Sequence, residues 1–181
     1  MPLTGNQDGA VAYVALGANL GDRSATLREA VARLGEFGTV EAVSALYETD
    51  PVGYLDQPAF LNAAVCLRTP LSAPDLLAAL LSIEADLGRV RSFPNAPRSL
   101  DLDLLFYDDL ILATPNLTLP HPRLPERAFV LVPLAEIAPD LIHPARQRLI
   151  AALLTDLGDV TGVRPCGSLV ALSPGPWQTS G

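Results

Sequence analysis

Two strand-like stretches, Thr39 to Tyr47 and Ala59 to Leu67, follow one another with no helical segment between them, and this adjacency constrains the fold more than any other feature. The first alternates around Val40 and Ala42; the second is a continuous apolar run of residues that a pleated surface tolerates. Parallel neighbours need a crossover of a dozen or more residues, usually a helix, so the adjacency disfavours a doubly wound parallel sheet. The eleven residues between the stretches, Glu48 to Pro58, contain two prolines and a glycine and exceed what a tight hairpin requires. They form a candidate binding loop.

The flanking patterns complete the order. Val11 to Leu16 is an apolar, valine-rich run that ends at Gly17-Ala18-Asn19, which suggests a buried strand closed by a turn. From Arg23 to Leu34, the residues Leu27, Ala30, Val31 and Leu34 recur as one helical stripe, with Asp22 or Ser24 as cap and Gly35 at the end. Ser72-Ala73-Pro74-Asp75 is a helix start, and Leu76, Leu77, Leu80, Ile83 and Leu87 carry the periodicity to Gly88. Arg89 to Pro97 holds two prolines and no periodicity, as a loop does; Ser99 to Phe106 returns to strict alternation, and Leu110 to Leu112 is expected as a short partner strand. Glu126 to Leu134 and Arg146 to Leu157 supply two further helices. The order β-α-β-β-α-β is that of a ferredoxin-like α/β sandwich, an α+β fold with an antiparallel sheet, here with additional C-terminal helices. The domain is expected over residues 11–157. Residues 1–10 and 158–181 are expected as flexible extensions, the second rich in Pro, Gly and Ser with little to bury.

Composition narrows the function. At 181 residues and 49% apolar, the chain has material for one packed core. No apolar stretch approaches the roughly 18 residues of a membrane span, and the first ten residues lack the basic start and apolar run of a secretory signal, so a cytoplasmic protein without a membrane partner is expected. Cys66 and Cys166 lie far apart and indicate neither a disulfide framework nor a zinc site. A net charge of -8 argues against general nucleic-acid binding. All twelve basic residues are arginine, and five of them, Arg89, Arg91, Arg98, Arg123 and Arg127, lie between residues 89 and 127. Guanidinium forks grip phosphate in bidentate fashion, although ordinary surface ion pairs also account for such a cluster.

A strand through Leu100-Asp101-Leu102-Asp103-Leu104 puts Asp101 and Asp103 on one face and the leucines on the other. Two adjacent carboxylates repel unless water or a cation lies between them, and magnesium bridges such groups to substrate phosphates. The wet face of an edge strand gives the same pattern. Around the pair stand Arg98, Arg89 and Arg91, with Glu84 one helical turn before Gly88, so metal-binding and phosphate-binding chemistry converge within twenty residues. The glycine-rich GxxxxGK[ST] loop is absent, so any ATP site is of another kind. His121, between Pro120 and Pro122 and just after Thr118, is placed either to donate to a phosphate oxygen or to cap a turn. Phe60 and Phe129 are either core residues or the two rings that hold a flat heterocycle, and Asn62, two residues after Phe60, offers an amide to its edge.

With these residues in view, the segment Ala96-Pro97-Arg98-Ser99-Leu100-Asp101-Leu102-Asp103-Leu104-Leu105 resembles the signature of the 6-hydroxymethyl-7,8-dihydropterin pyrophosphokinase family. The likeness extends through Val14-Ala15-Leu16-Gly17-Ala18-Asn19-Leu20, Gln57-Pro58-Ala59-Phe60-Leu61-Asn62-Ala63-Ala64 and Pro133-Leu134-Ala135-Glu136-Ile137-Ala138-Pro139, covering roughly residues 11 to 157. The resemblance implies a ferredoxin-like fold and attack of the pterin hydroxymethyl oxygen on the β-phosphorus of ATP, with AMP leaving. It implies two magnesium ions on Asp101 and Asp103, and an ATP side formed by Glu84, Arg89, Arg91, Arg98, Thr118 and His121, in which Arg89 and Arg98 stabilise the transferring phosphates. Phe60 and Phe129 would sandwich the pterin while Asn62 and the backbone around Thr49 and Val52 read its edge. The segments Thr49 to Gln57 and Arg89 to Ala96 would close over the nucleotide. Ser92 to Ala96 is one residue shorter than in the best-known members, and Asn95, Pro122 and Asn116 depart from residues common there. The expected partners are ATP and the pterin alone, and the protein is expected to be monomeric.

Overall fold

The computed structural model describes residues 9–50, 58–87 and 100–169. In chain order these residues form strand β1 (Ala10–Ala18), helix α1 (Arg23–Leu34), strands β2 (Thr39–Val43), β3 (Ala45–Thr49) and β4 (Phe60–Thr69), helix α2 (Ala73–Asp86) and strand β5 (Asp101–Tyr107). A small hairpin of β6 (Leu112–Ala113) and β7 (Thr118–Leu119) follows, then a 3₁₀ turn (Leu124–Glu126), helix α3 (Ala128–Ile137), a second hairpin of β8 (Ile142–His143) and β9 (Arg148–Leu149), helix α4 (Ile150–Leu157) and strand β10 (Val163–Ser168). The main sheet runs β10-β3-β4-β1-β5, with β2 also paired to β4. Every one of its pairings is antiparallel. The β-α-β-β-α-β order expected from the sequence is observed with one change: the first of the two strands between the helices is divided into β2 and β3.

Helices cover both faces of the sheet, and the strand sequences follow from this. Val14 and Leu16 of β1, Val65 and Leu67 of β4 and Leu102 and Leu104 of β5 join Leu27 and Leu34 of α1 and Leu76, Leu80 and Ile83 of α2 in one core. On the other face, Ala64, Leu105 and Phe106 pack with Val130, Leu131 and Leu134 of α3 and Ile150 and Leu153 of α4. β4 is buried on both sides over most of its length, which is why its sequence is a continuous apolar run rather than an alternation. In β5 the ladder with β1 slips by one residue at Leu105, so Leu105 and Phe106 both enter the second core beyond the alternating Asp101 to Leu104 segment. The helix starts behave as their sequences indicate: the Asp22 carboxylate accepts the Ala25 N–H at 3.1 Å, and the Ser72 hydroxyl accepts the Asp75 N–H at 3.2 Å.

Several boundaries differ from the sequence expectation, each for a local reason. The stretch Thr39 to Tyr47 is two strands because Ser44 interrupts it. Its N–H reaches the Ala64 carbonyl at 2.9 Å and its hydroxyl accepts the Ala64 N–H at 2.9 Å, so both pieces stay on β4. Gly17 and Ala18 do not turn the chain; β1 continues through them, Gly17 paired to both β4 and β5 and Ala18 to β4. The partner strand expected over 110–112 lies at Leu112–Ala113 and pairs with β7. The helix expected from Glu126 to Leu134 begins at Ala128, after the 3₁₀ turn, and continues to Ile137. The helix expected from Arg146 starts only at Ile150, because Arg148 and Leu149 pair with Ile142 and His143.

The largest difference concerns the tail. Val163–Ser168 forms an edge strand on β3, and Leu169 is buried in the first core, so the sheet extends beyond the expected boundary at residue 157. Cys66 is buried and Cys166 exposed, and neither forms a disulfide. No helix among the described residues is long and apolar enough to cross a membrane.

Candidate active site

The two ladders of β1 determine what meets at the end of the sheet. Asp101 lies opposite Gly17, and Gly17 opposite Asn62; one step along, Asp103 lies opposite Ala15, and Ala15 opposite Ala64. Residues directly opposed across a ladder share a face, so the two carboxylates of β5 and the amide of β4 project to the same side, with only small residues of β1 between them. A cavity of about 560 Å³ opens there, lined by Thr49, Phe60, Asn62, Asp101, Asp103 and Phe129 among others. Six residues singled out in the sequence, from three strands and the first turn of α3, thus border one space.

Thr49 and Asn62 act together. Both are almost fully buried, and the Asn62 amide donates to the Thr49 hydroxyl at 2.7 Å. That bond fixes the orientation of the amide and leaves Oδ1 and one Nδ2 hydrogen for a ligand. Thr49 therefore contributes a side chain that orients its neighbour, where the sequence reading used its backbone.

Glu84 stands elsewhere than the cavity wall. Its buried carboxylate, on the last turn of α2, accepts the Leu102 N–H at 2.7 Å. Leu102 is the residue between the two aspartates, so Glu84 holds the strand that carries them, and a charge-assisted bond of this kind is short and strong. Thr118 is exposed in β7 and does not border the cavity. Val52, Arg89, Arg91 and Arg98 lie outside the described residues, as do the segments 51–57 and 88–99.

His121 resolves its two sequence readings into one arrangement. Its backbone N–H reaches the Leu105 carbonyl at 3.0 Å, and its Nδ1 accepts the Arg123 N–H at 3.3 Å. With Nδ1 an acceptor, the neutral ring carries its proton on Nε2, so the turn cap leaves a donor at the other end. Burial, with Arg127 and Arg123 adding to it, pushes the imidazole below its ordinary pKa, while Asp101 pulls the other way. The neutral form is favoured.

Gly17 and Glu126 had no site role in the sequence reading, Asp50 entered it only as part of the candidate binding loop and Arg123 and Arg127 only as part of the arginine cluster; all five line the cavity. Arg123 and Arg127 had a signal in the arginine-rich region, and the Arg127 guanidinium lies over the Phe129 ring at 5.5 Å from its centre. Asp50 is reached from β10: the Arg164 guanidinium lies 3.3 Å from Asp50 and 3.6 Å from Glu48. Nothing in the composition of the tail indicates that contact.

Among the described residues no cluster of three or more His, Cys, Asp and Glu could enclose a metal ion. Magnesium does not require one. It usually takes one or two carboxylates and completes its shell with water and substrate phosphates, and Asp101 and Asp103, half-buried at the edge of an open cavity, suit that mode.

Comparison with known proteins gives a consistent result. The model of the family described as 7,8-dihydro-6-hydroxymethylpterin-pyrophosphokinase (HPPK) matches residues 13–139. The 2-amino-4-hydroxy-6-hydroxymethyldihydropteridine pyrophosphokinase of Bacillus subtilis is 51% identical over 129 residues, covering 70% of this chain and 77% of that protein. The protein of the same name from Pseudomonas aeruginosa is 46% identical over 140 residues, covering 76% and 86%. The folic acid synthesis protein of Dictyostelium discoideum is 42% identical over 134 residues, but the match spans only 20% of it. Among solved structures, wild-type HPPK-DHPS of Plasmodium falciparum superposes with a TM-score of 0.67 at 15% identity, over 81% of this chain and 44% of that one; this likeness supports the fold alone.

Proposed function

Because the chain belongs to the 7,8-dihydro-6-hydroxymethylpterin-pyrophosphokinase family and is thus a transferase of folate biosynthesis that moves pyrophosphate from ATP to hydroxymethyldihydropterin, we propose that the cavity along β1 is where the transfer occurs. One observation carries this assignment: carboxylates suited to magnesium and rings and an amide suited to a pterin border the same space. In the reaction the hydroxymethyl oxygen forms a bond to the β-phosphorus of ATP. The bond from that phosphorus to the oxygen bridging it to the α-phosphorus breaks, and AMP leaves.

Each group has a task in that step. Phe60 and Phe129 hold the pterin ring, and Asn62, oriented by Thr49, pairs with its edge. Asp101 and Asp103 hold two magnesium ions, which when bound neutralise charge on the transferring phosphates. His121, neutral and donating from Nε2, binds a phosphate oxygen, and Arg123, before the 3₁₀ turn, and Arg127, at the start of α3, face the same charge from the cavity wall. Arg89, Arg91 and Arg98 occupy the family's phosphate-binding positions, Arg89 and Arg98 at the transferring groups; Val52 and Thr118 complete the pterin and ATP sides. Glu84 fixes β5 through the Leu102 N–H and, from the end of α2, belongs to the ATP side. The enzyme works as a cytoplasmic monomer with small-molecule partners only, and its domain runs beyond the expected residues 11–157 to include β10.

Purified protein incubated with ATP, magnesium and 6-hydroxymethyl-7,8-dihydropterin tests this reading. AMP and pterin pyrophosphate should appear in equal amounts, each requiring the pterin. Pterin-independent ADP would contradict it.

A further inference from the structure

We propose that Gly17 is a positioning residue for pterin recognition: its missing β-carbon is what lets the Asn62 amide lie across β1 in reach of the pterin edge. The inference rests on the reading of the cavity as the pterin site. Gly17 sits inside β1 and is paired on both sides, to Asn62 and to Asp101. Glycine weakens a strand interior, and there it often marks close approach by a ligand or another group. Its backbone is not in the left-handed region, so the chain's conformation does not require glycine at this point. Space does. A β-carbon on residue 17 would stand 3.2 Å from Asn62 Oδ1, inside ordinary contact distance.

Asn62 cannot easily yield. Its other amide atom is tied to Thr49 at 2.7 Å, and the two residues are only 5% and 6% exposed, so relief of the contact must come from turning the amide or lifting β1. Either movement disturbs the donor and acceptor presented to the pterin. On the opposite side of Gly17 stands Asp101, so the same missing side chain keeps open the lane between the pterin-binding strand and the metal-binding strand.

The test is a double-mutant cycle with steady-state kinetics, equilibrium dialysis of 6-hydroxymethyl-7,8-dihydropterin and thermal melting. Gly17→Ala should raise the KM for pterin about tenfold, the loss expected when one aligned hydrogen-bonding group is displaced, and leave the KM for ATP within about twofold. Its melting temperature should not fall, since alanine is the better strand residue. Asn62→Ala should raise the pterin KM by itself. In that background Gly17→Ala should add little, because the amide it would displace is gone. An unchanged pterin KM in Gly17→Ala, a lower melting temperature without a kinetic effect, or additive effects of the two changes would overturn the proposal. Wild-type protein that neither binds the pterin nor releases AMP in its presence would instead overturn the reading of the cavity, and this inference with it.

Discussion

At Asn62 and His121 a partner on one side of a polar group decides what the other side can offer a ligand. The Thr49 hydroxyl orients the amide, and the Arg123 N–H selects the imidazole tautomer. At neutral pH, His121 is then a neutral donor. His143 is likewise depressed by burial and by Arg146, with its ring against Phe106 at 5.6 Å. A histidine whose folded pKa is below the ordinary 6.5 leaves stability unaffected while both states are neutral; stability then falls as pH drops below 6.5, where the unfolded chain takes up the proton first. Urea midpoints should therefore decline from pH 7 towards pH 5, and less steeply in His143→Asn. Phe129→Ala should raise the KM for pterin about five- to thirtyfold, the equivalent of roughly 1–2 kcal/mol of lost ring contact, with the KM for ATP little changed in initial-rate measurements. Asp101, Asp103, Asn62 and Phe129 were legible because spacing on a strand or the scarcity of aromatics marked them. Gly17 and Asp50 were not, because their contribution comes from what lies across the sheet from them.

Helix α3 is tied to the sheet by Glu136, whose carboxylate accepts the Ala45 N–H at 3.0 Å and the Tyr47 hydroxyl. Burial and that hydrogen bond push the Tyr47 phenol up to about 12. The acceptor is needed because the interruption at Ser44 takes the start of β3 out of the regular ladder with β4. Glu136→Ala should cost about 1 kcal/mol, limited by its solvent exposure, in urea unfolding; Tyr47→Phe, which leaves the Ala45 bond in place, should cost less. Elements with an internal period or a cap were readable in advance: α1 and α2 fall where Asp22, Ser72 and their leucines place them. The β8-β9 hairpin and β10 were not. Arg148-Leu149 continues the apolar spacing of α4, and Val163–Ser168 is short, largely exposed and contains Pro165 and Gly167, so neither carries a strand pattern of its own.

As a whole the molecule is a sheet between two cores, with its site where β1, β4, β5 and the start of α3 meet. The tail belongs to that body: Leu169 is 5% exposed in the first core, and β10 carries Arg164 to Asp50 at the cavity. Leu169→Ala should destabilise the protein by about 2 kcal/mol, seen as a lower melting temperature, because burial rather than local sequence holds the segment in place. The central claim is that carboxylates and pterin-binding groups form one site with separable tasks. Asp103→Ala tests it, with AMP release and pterin retention by equilibrium dialysis measured on the same folded sample. AMP release should fall on the order of a hundredfold or more, matching the several kcal/mol that a held metal ion supplies to charge stabilisation, while pterin binding persists. Near-normal AMP release from a folded Asp103→Ala protein would contradict the account.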